Sequence, residues 1–124
     1  MIAGGALGYF GFPLPMVEQA IGLSVIVMSL MIASGVELPT FPSMALVALF
    51  ALFHGHAHGA EGAHANAFLP FAFGFVIATA ALHLIGIGLG LGLERLNAQT
   101  SRRLQIAAGA TGALVGVAIL AGLG

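Results

Sequence analysis

Cysteine is absent from the 124 residues, and charge is nearly so, with three basic and four acidic side chains making up 6% of the chain. Without cysteine there is no disulfide, no thiol nucleophile and no thiolate metal site, so a metal ion would have to be held by nitrogen and oxygen. The shortage of charge excludes a water-soluble domain. Such a domain carries about a quarter charged residues, because its surface must be polar. No basic patch exists that could track a nucleic acid. No Lys or Arg precedes the first apolar stretch, so the N-terminus lacks the charged segment of a secretory signal peptide.

What remains is apolar and rich in glycine: 60% hydrophobic residues and 19 glycines, with a mean hydropathy of +1.11. Lipid is the solvent that suits this composition, and the reading is an all-α, polytopic bundle of transmembrane helices forming a single domain over residues 1–124. A crossing helix needs roughly 20 apolar residues. Four stretches meet or approach that: Met16 to Ser34, Phe41 to about His58, Phe68 to Leu93, and Leu104 to Leu123. A fifth, Ile2 to Phe12, stops at Pro13 and Pro15 and is too short to cross. The expectation is therefore four full spans plus one short N-terminal helix. The connections are expected at Val36 to Thr40, Gly59 to Ala67 and Glu94 to Arg103. All three basic residues, Arg95, Arg102 and Arg103, fall in the last of these. The positive-inside rule puts that connection in the cytoplasm, and counting back puts Gly59 to Ala67 outside.

Gly86, Gly88, Gly90 and Gly92 superficially suggest a nucleotide loop, but they stand inside an apolar run with no strand before it. As Gly86/Gly90 and Gly88/Gly92 they are small-xxx-small pairs, like Gly4/Gly8 and Gly112/Gly116, and helix packing is the expected role.

Four of the five histidines lie between His54 and His64, in the segment Phe53-His54-Gly55-His56-Ala57-His58-Gly59-Ala60-Glu61. On a continuous helix, His54 and His58 are one turn apart on one face, about 6 Å along the axis. Glu61 returns to nearly the same stripe and His56 points away. Were the glycines to open the helix, His54, His56 and His58 would share a side instead. Imidazole with carboxylate suits borderline divalent ions such as nickel, cobalt or zinc. The plainer alternative is a set of polar residues at a helix end. His83 stands in mid-span, where ionisable groups are costly and face a bundle interior or a water-filled path. It is read as a metal ligand, a proton relay or a histidine bonded to a neighbouring helix. His64 is expected in an exposed loop, and Glu18 either at a helix start favoured by the dipole or as part of an ion path, the helix start being preferred. Ser24, Ser29 and Ser34 have no base partner in the pattern and are read as back-bonded to their helix. The metalloprotease motif His-Glu-x-x-His is absent, and no enzyme is expected.

The segment Phe53 to Glu61 is similar to the FHGxAHGxE signature of the HupE/UreJ family of bacterial nickel and cobalt transport proteins. Leu14-Pro15-Met16-Val17-Glu18 and Ala80-Ala81-Leu82-His83 are softer matches in the same order. The resemblance implies a small multi-pass permease of the bacterial inner membrane, supplying nickel or cobalt for hydrogenase or urease maturation. It carries His54, His58 and Glu61 onto the signature's polar positions and His56 onto its variable one. The family's first helix, with its His-Pro…Asp-His motif, has no counterpart here. The chain starts in what would be the second of about six spans, and is read as a fragment, a chain with a misassigned start, or a shortened relative. The expected metal contacts are thus His54, His58, Glu61, His56 and His83. Nickel, cobalt or zinc is cargo, with no prosthetic group. The other expected partners are the lipid bilayer and further copies of the chain. A metal-binding accessory or assembly protein without transport activity is the rival reading.

Overall fold

The computed structural model describes residues 1–64 and 68–123. Among these, all regular structure is helical: α1 (Ile2–Tyr9), α2 (Val17–Ser34), α3 (Thr40–His64), α4 (Phe68–Glu94) and α5 (Ala98–Leu120). The last four are each long and apolar enough to cross a membrane, giving the four spans and one short helix the composition called for.

Two boundaries differ from expectation. α3 does not stop near His58 but continues through Gly59, Glu61 and Gly62 to His64. His64 is therefore the exposed last residue of a helix and not part of a loop. The rest of that expected connection, residues 65–67, lies outside the described residues. α5 begins at Ala98 and not Leu104, because Asn97 caps it: its side-chain oxygen accepts the Thr100 amide at 2.9 Å. The α4–α5 connection is thus only three residues long, and Arg102 and Arg103 stand in the second turn of α5. α2 stops at Gly35, whose φ of +69° places it in the left-handed region that glycine enters freely.

Every buried residue among those described is glycine or serine: Gly4, Gly8, Gly22, Ser24, Ser29, Gly55, Gly59, Gly62, Gly109 and Gly116. No buried apolar side chain forms a core, while Leu, Ile, Val and Phe on all four long helices face outward. This inverts the order of a soluble domain. Lipid already solvates the apolar side chains, so the helices associate where small residues let backbones approach.

Two close pairs result. α1 lies along the second half of α3. A Cβ on Gly4 would meet the Leu52 carbonyl, one on Gly8 the His56 carbonyl, and ones on Gly55 and Gly59 the carbonyls of Met1 and Gly5. α2 and α5 run antiparallel. Gly109 faces the backbone of Ser29 and Ala33, Gly112 faces the Ser29 hydroxyl, and Gly116 faces Ile26 and Gly22. α4 stands apart: its apolar window has none of its residues buried, and its glycines at 74, 86, 88, 90 and 92 have open space where a side chain would be. The expected packing is thus realised at Gly4/Gly8 and Gly112/Gly116. Gly86/Gly90 and Gly88/Gly92 have no packing partner among the described residues, because α4 touches its neighbours only sparsely.

Candidate functional site

Because α3 continues unbroken through the His-rich segment, the helical period governs it. His54 and His58 sit one turn apart on one face of α3. His58 Nδ1 and Glu61 Oε2 are 3.1 Å apart across the next turn. The carboxylate accepts in that contact, so Nδ1 carries a proton, and in the neutral imidazole the Nε2 lone pair is then left for a ligand. A carboxylate that fixes a histidine in this way orients its other nitrogen for a ligand. Both side chains are well exposed, at 46% and 70%, so the pair is open to its surroundings.

His56 is separated from them. Its Nε2 lies 2.7 Å from the Phe12 carbonyl, which must accept, so His56 ties α3 to the chain leaving α1. Its partner is a backbone group beyond α1, and the His54–His58–Glu61 stripe runs on another side of the helix. His83 is held by its own helix: Nδ1 donates to the Thr79 carbonyl at 2.7 Å, which again leaves Nε2 with a free lone pair.

Two cavities flank α3, and consecutive members of the stripe face different ones. His58 lines a largely apolar cavity of about 150 Å³ with Tyr9, Phe10, Phe71 and Phe75, its ring centroid 5.4 Å from that of Phe75. His54 lines a second, more open cleft of about 210 Å³ whose other lining residues include Met1, Ser24 and Met28 of α2, and His83 of α4. His54 and His83, 29 positions apart in sequence, thus line one cleft.

The five expected contacts are therefore distributed. His58 and Glu61 are paired, His54 is one turn back, His83 shares its cleft, and His56 is engaged elsewhere. Among the described residues, no three His, Asp or Glu side chains converge as a metal cage. Sequence reasoning passed over Met28. Setting cysteine aside left nitrogen and oxygen as the donors considered, whereas a thioether is a sulfur donor as well. The signal available was spacing, since Met28 follows Ser24 by four residues and so shares its helix face. Ser24 itself does back-bond, donating to the Ile21 carbonyl at 2.6 Å.

A family model described as "HupE / UreJ protein" matches residues 1–119. Among curated proteins, "Protein HupE" of Rhizobium leguminosarum bv. viciae is 49% identical over 61 residues. That alignment covers 49% of this chain and 32% of the relative, so the chain spans about a third of the relative's length. No solved structure matches the chain.

Proposed function

We propose, from the premise that this chain belongs to the HupE/UreJ family, that it carries divalent nickel or cobalt across the bacterial inner membrane. The metal would serve hydrogenase or urease maturation. The multi-pass helical architecture supplies the membrane setting. What supports the reading is the placement of donors on and beside α3: the exposed His58–Glu61 pair near its end, His54 one turn back along the same stripe, and His83 lining the same cleft as His54.

A permease must bind its ion well enough to admit it and weakly enough to release it. Single imidazoles in series answer that need better than one closed cage. Two of these rings, when neutral, present a lone pair because another group holds the proton, a carboxylate at His58 and a backbone carbonyl at His83. The ion would shed water in steps, exchanging oxygen for nitrogen donors. His56 acts as a tether between α1 and α3, and no catalytic step is assigned to any residue.

The test is nickel accumulation in nickel-starved bacteria that lack their own transporters. Cells would express this chain or its His54→Ala/His58→Ala variant at equal membrane abundance. Uptake by the first and not the second is the expected result. Equal uptake by both would remove the histidines from the route. Stoichiometric nickel binding without uptake by either would make the protein an accessory metal-binding subunit.

A further inference from the structure

The cleft lined by His54 and His83 contains more than the two histidines. α2 contributes Ser24 and Met28 to its wall, at the level where α3 contributes Phe50 and His54. Ser24 is 5% exposed, and its one hydroxyl proton is committed to the Ile21 carbonyl. Its oxygen can therefore act toward the cavity only through a lone pair. His83 likewise spends its Nδ1 proton on Thr79 and keeps Nε2 open. The lining residues thus include two imidazoles on two helices, a hydroxyl, and the thioethers of Met28 and of Met1 at the chain's start. With a volume of about 210 Å³, the cavity has room for an ion with part of its water shell.

We infer that Met28, with Ser24, His54 and His83, forms a mid-membrane station for a late first-row metal ion, in which the Met28 thioether selects against hard cations. This deepens the permease reading and rests on it. Magnesium, calcium and manganese favour oxygen donors and gain little from sulfur, whereas later ions of the series gain from both imidazole and thioether. An uncharged donor set also suits transit, because it leaves the ion's charge unneutralised and binding modest. A leucine would have served better than Met28 if lipid contact or packing were its sole role, since methionine specifies a packed position poorly.

The absence of cysteine makes the test clean, because the five methionines are the chain's only sulfur. The full chain, labelled with selenomethionine and held in lipid nanodiscs, would be loaded with nickel and examined by X-ray absorption at the nickel edge. A selenium neighbour to nickel is expected in the unsubstituted protein. It should be lost in Met28→Leu and retained in Met44→Leu, a control outside the cavity and 65% exposed. Leucine nearly conserves methionine's volume, and circular dichroism would verify that the helices persist. Nickel bound through nitrogen with no selenium neighbour would overturn the inference while leaving the permease reading intact. A selenium neighbour that survives Met28→Leu would do the same, by assigning the sulfur to another methionine, Met1 included. Absence of any bound nickel, with no cellular uptake, would overturn both.

Discussion

Glu61 stands 3.1 Å from His58 Nδ1, so its nearest effect is on an imidazole, with any effect on an ion exerted through that ring. The two roles separate by substitution. Glu61→Gln keeps a carbonyl oxygen able to accept the Nδ1 proton, while Glu61→Leu keeps none. If orientation is the role, Gln retains most nickel uptake at limiting metal and Leu loses about 10- to 100-fold, the usual loss when such an orienting partner is removed. Equal loss in both would make Glu61 a direct ligand, and radioactive nickel uptake at submicromolar metal distinguishes the cases. A second expectation concerns protons. Only neutral imidazole ligates, and imidazole ordinarily titrates near pH 6.5, so nickel affinity should fall at least tenfold between about pH 7.5 and 5. Titration calorimetry on the purified chain reads this directly, and constant affinity would argue against imidazole ligation. At this scale the sequence was informative about which residue types matter. The His54–His58–Glu61 stripe follows from the helical period alone. The detachment of His56 was legible as a direction but not as a partner, since no pattern announces a bond to the Phe12 carbonyl 44 positions away.

Helices here are joined by glycine backbones, which makes the glycines unequal in a testable way. Alanine at Gly55 or Gly59 would drive a Cβ into the Met1 or Gly5 carbonyl of α1. Backbone cannot swing aside as a side-chain end can, so each should destabilise by about 1–3 kcal/mol or part α1 from α3. Alanine at Gly86 or Gly88 meets open space and should be neutral or stabilising by up to about 1 kcal/mol, through the higher helix propensity of alanine. Thermal unfolding in a lipid-like micelle compares the two sets. A large loss at Gly86 or Gly88 would reveal a partner helix seated on α4 in the membrane. The number and order of helices were readable from apolar length. Their partners were not, because a small-xxx-small pair specifies a close approach without saying to what, and the pairs on α1, α4 and α5 look alike in sequence. The ends of α3 and α5 were misread for definite reasons. Gly59 and Gly62 resemble breakers but are used for close packing inside α3. Arg102 and Arg103 suggest a loop, yet Asn97 had already started the helix.

Across the whole molecule, two turns share one face of the bundle. Arg102 Nη2 in α5 donates to the Ser34 carbonyl at the end of α2, at 3.4 Å, so the α2–α3 and α4–α5 turns lie on the same side. All three arginines are then gathered at that side, while the His58–Glu61 pair is carried by the opposite end of α3. The positive-inside rule predicts from this asymmetry an orientation with the arginine face in the cytoplasm and the His58–Glu61 pair outside. An importer requires that sense, because the ion must meet the exposed pair before the His54–His83 cleft. A chain without native cysteine lets single cysteines report it. Ala63→Cys near that pair should react with a membrane-impermeant maleimide in cells whose outer membrane alone is opened. Gln99→Cys at the start of α5 should react only after the inner membrane is broken. The reverse pattern would place the His58–Glu61 pair in the cytoplasm. The same donors would then stand at the exit of an importer or the mouth of an exporter, and the direction of nickel flux would decide between those two.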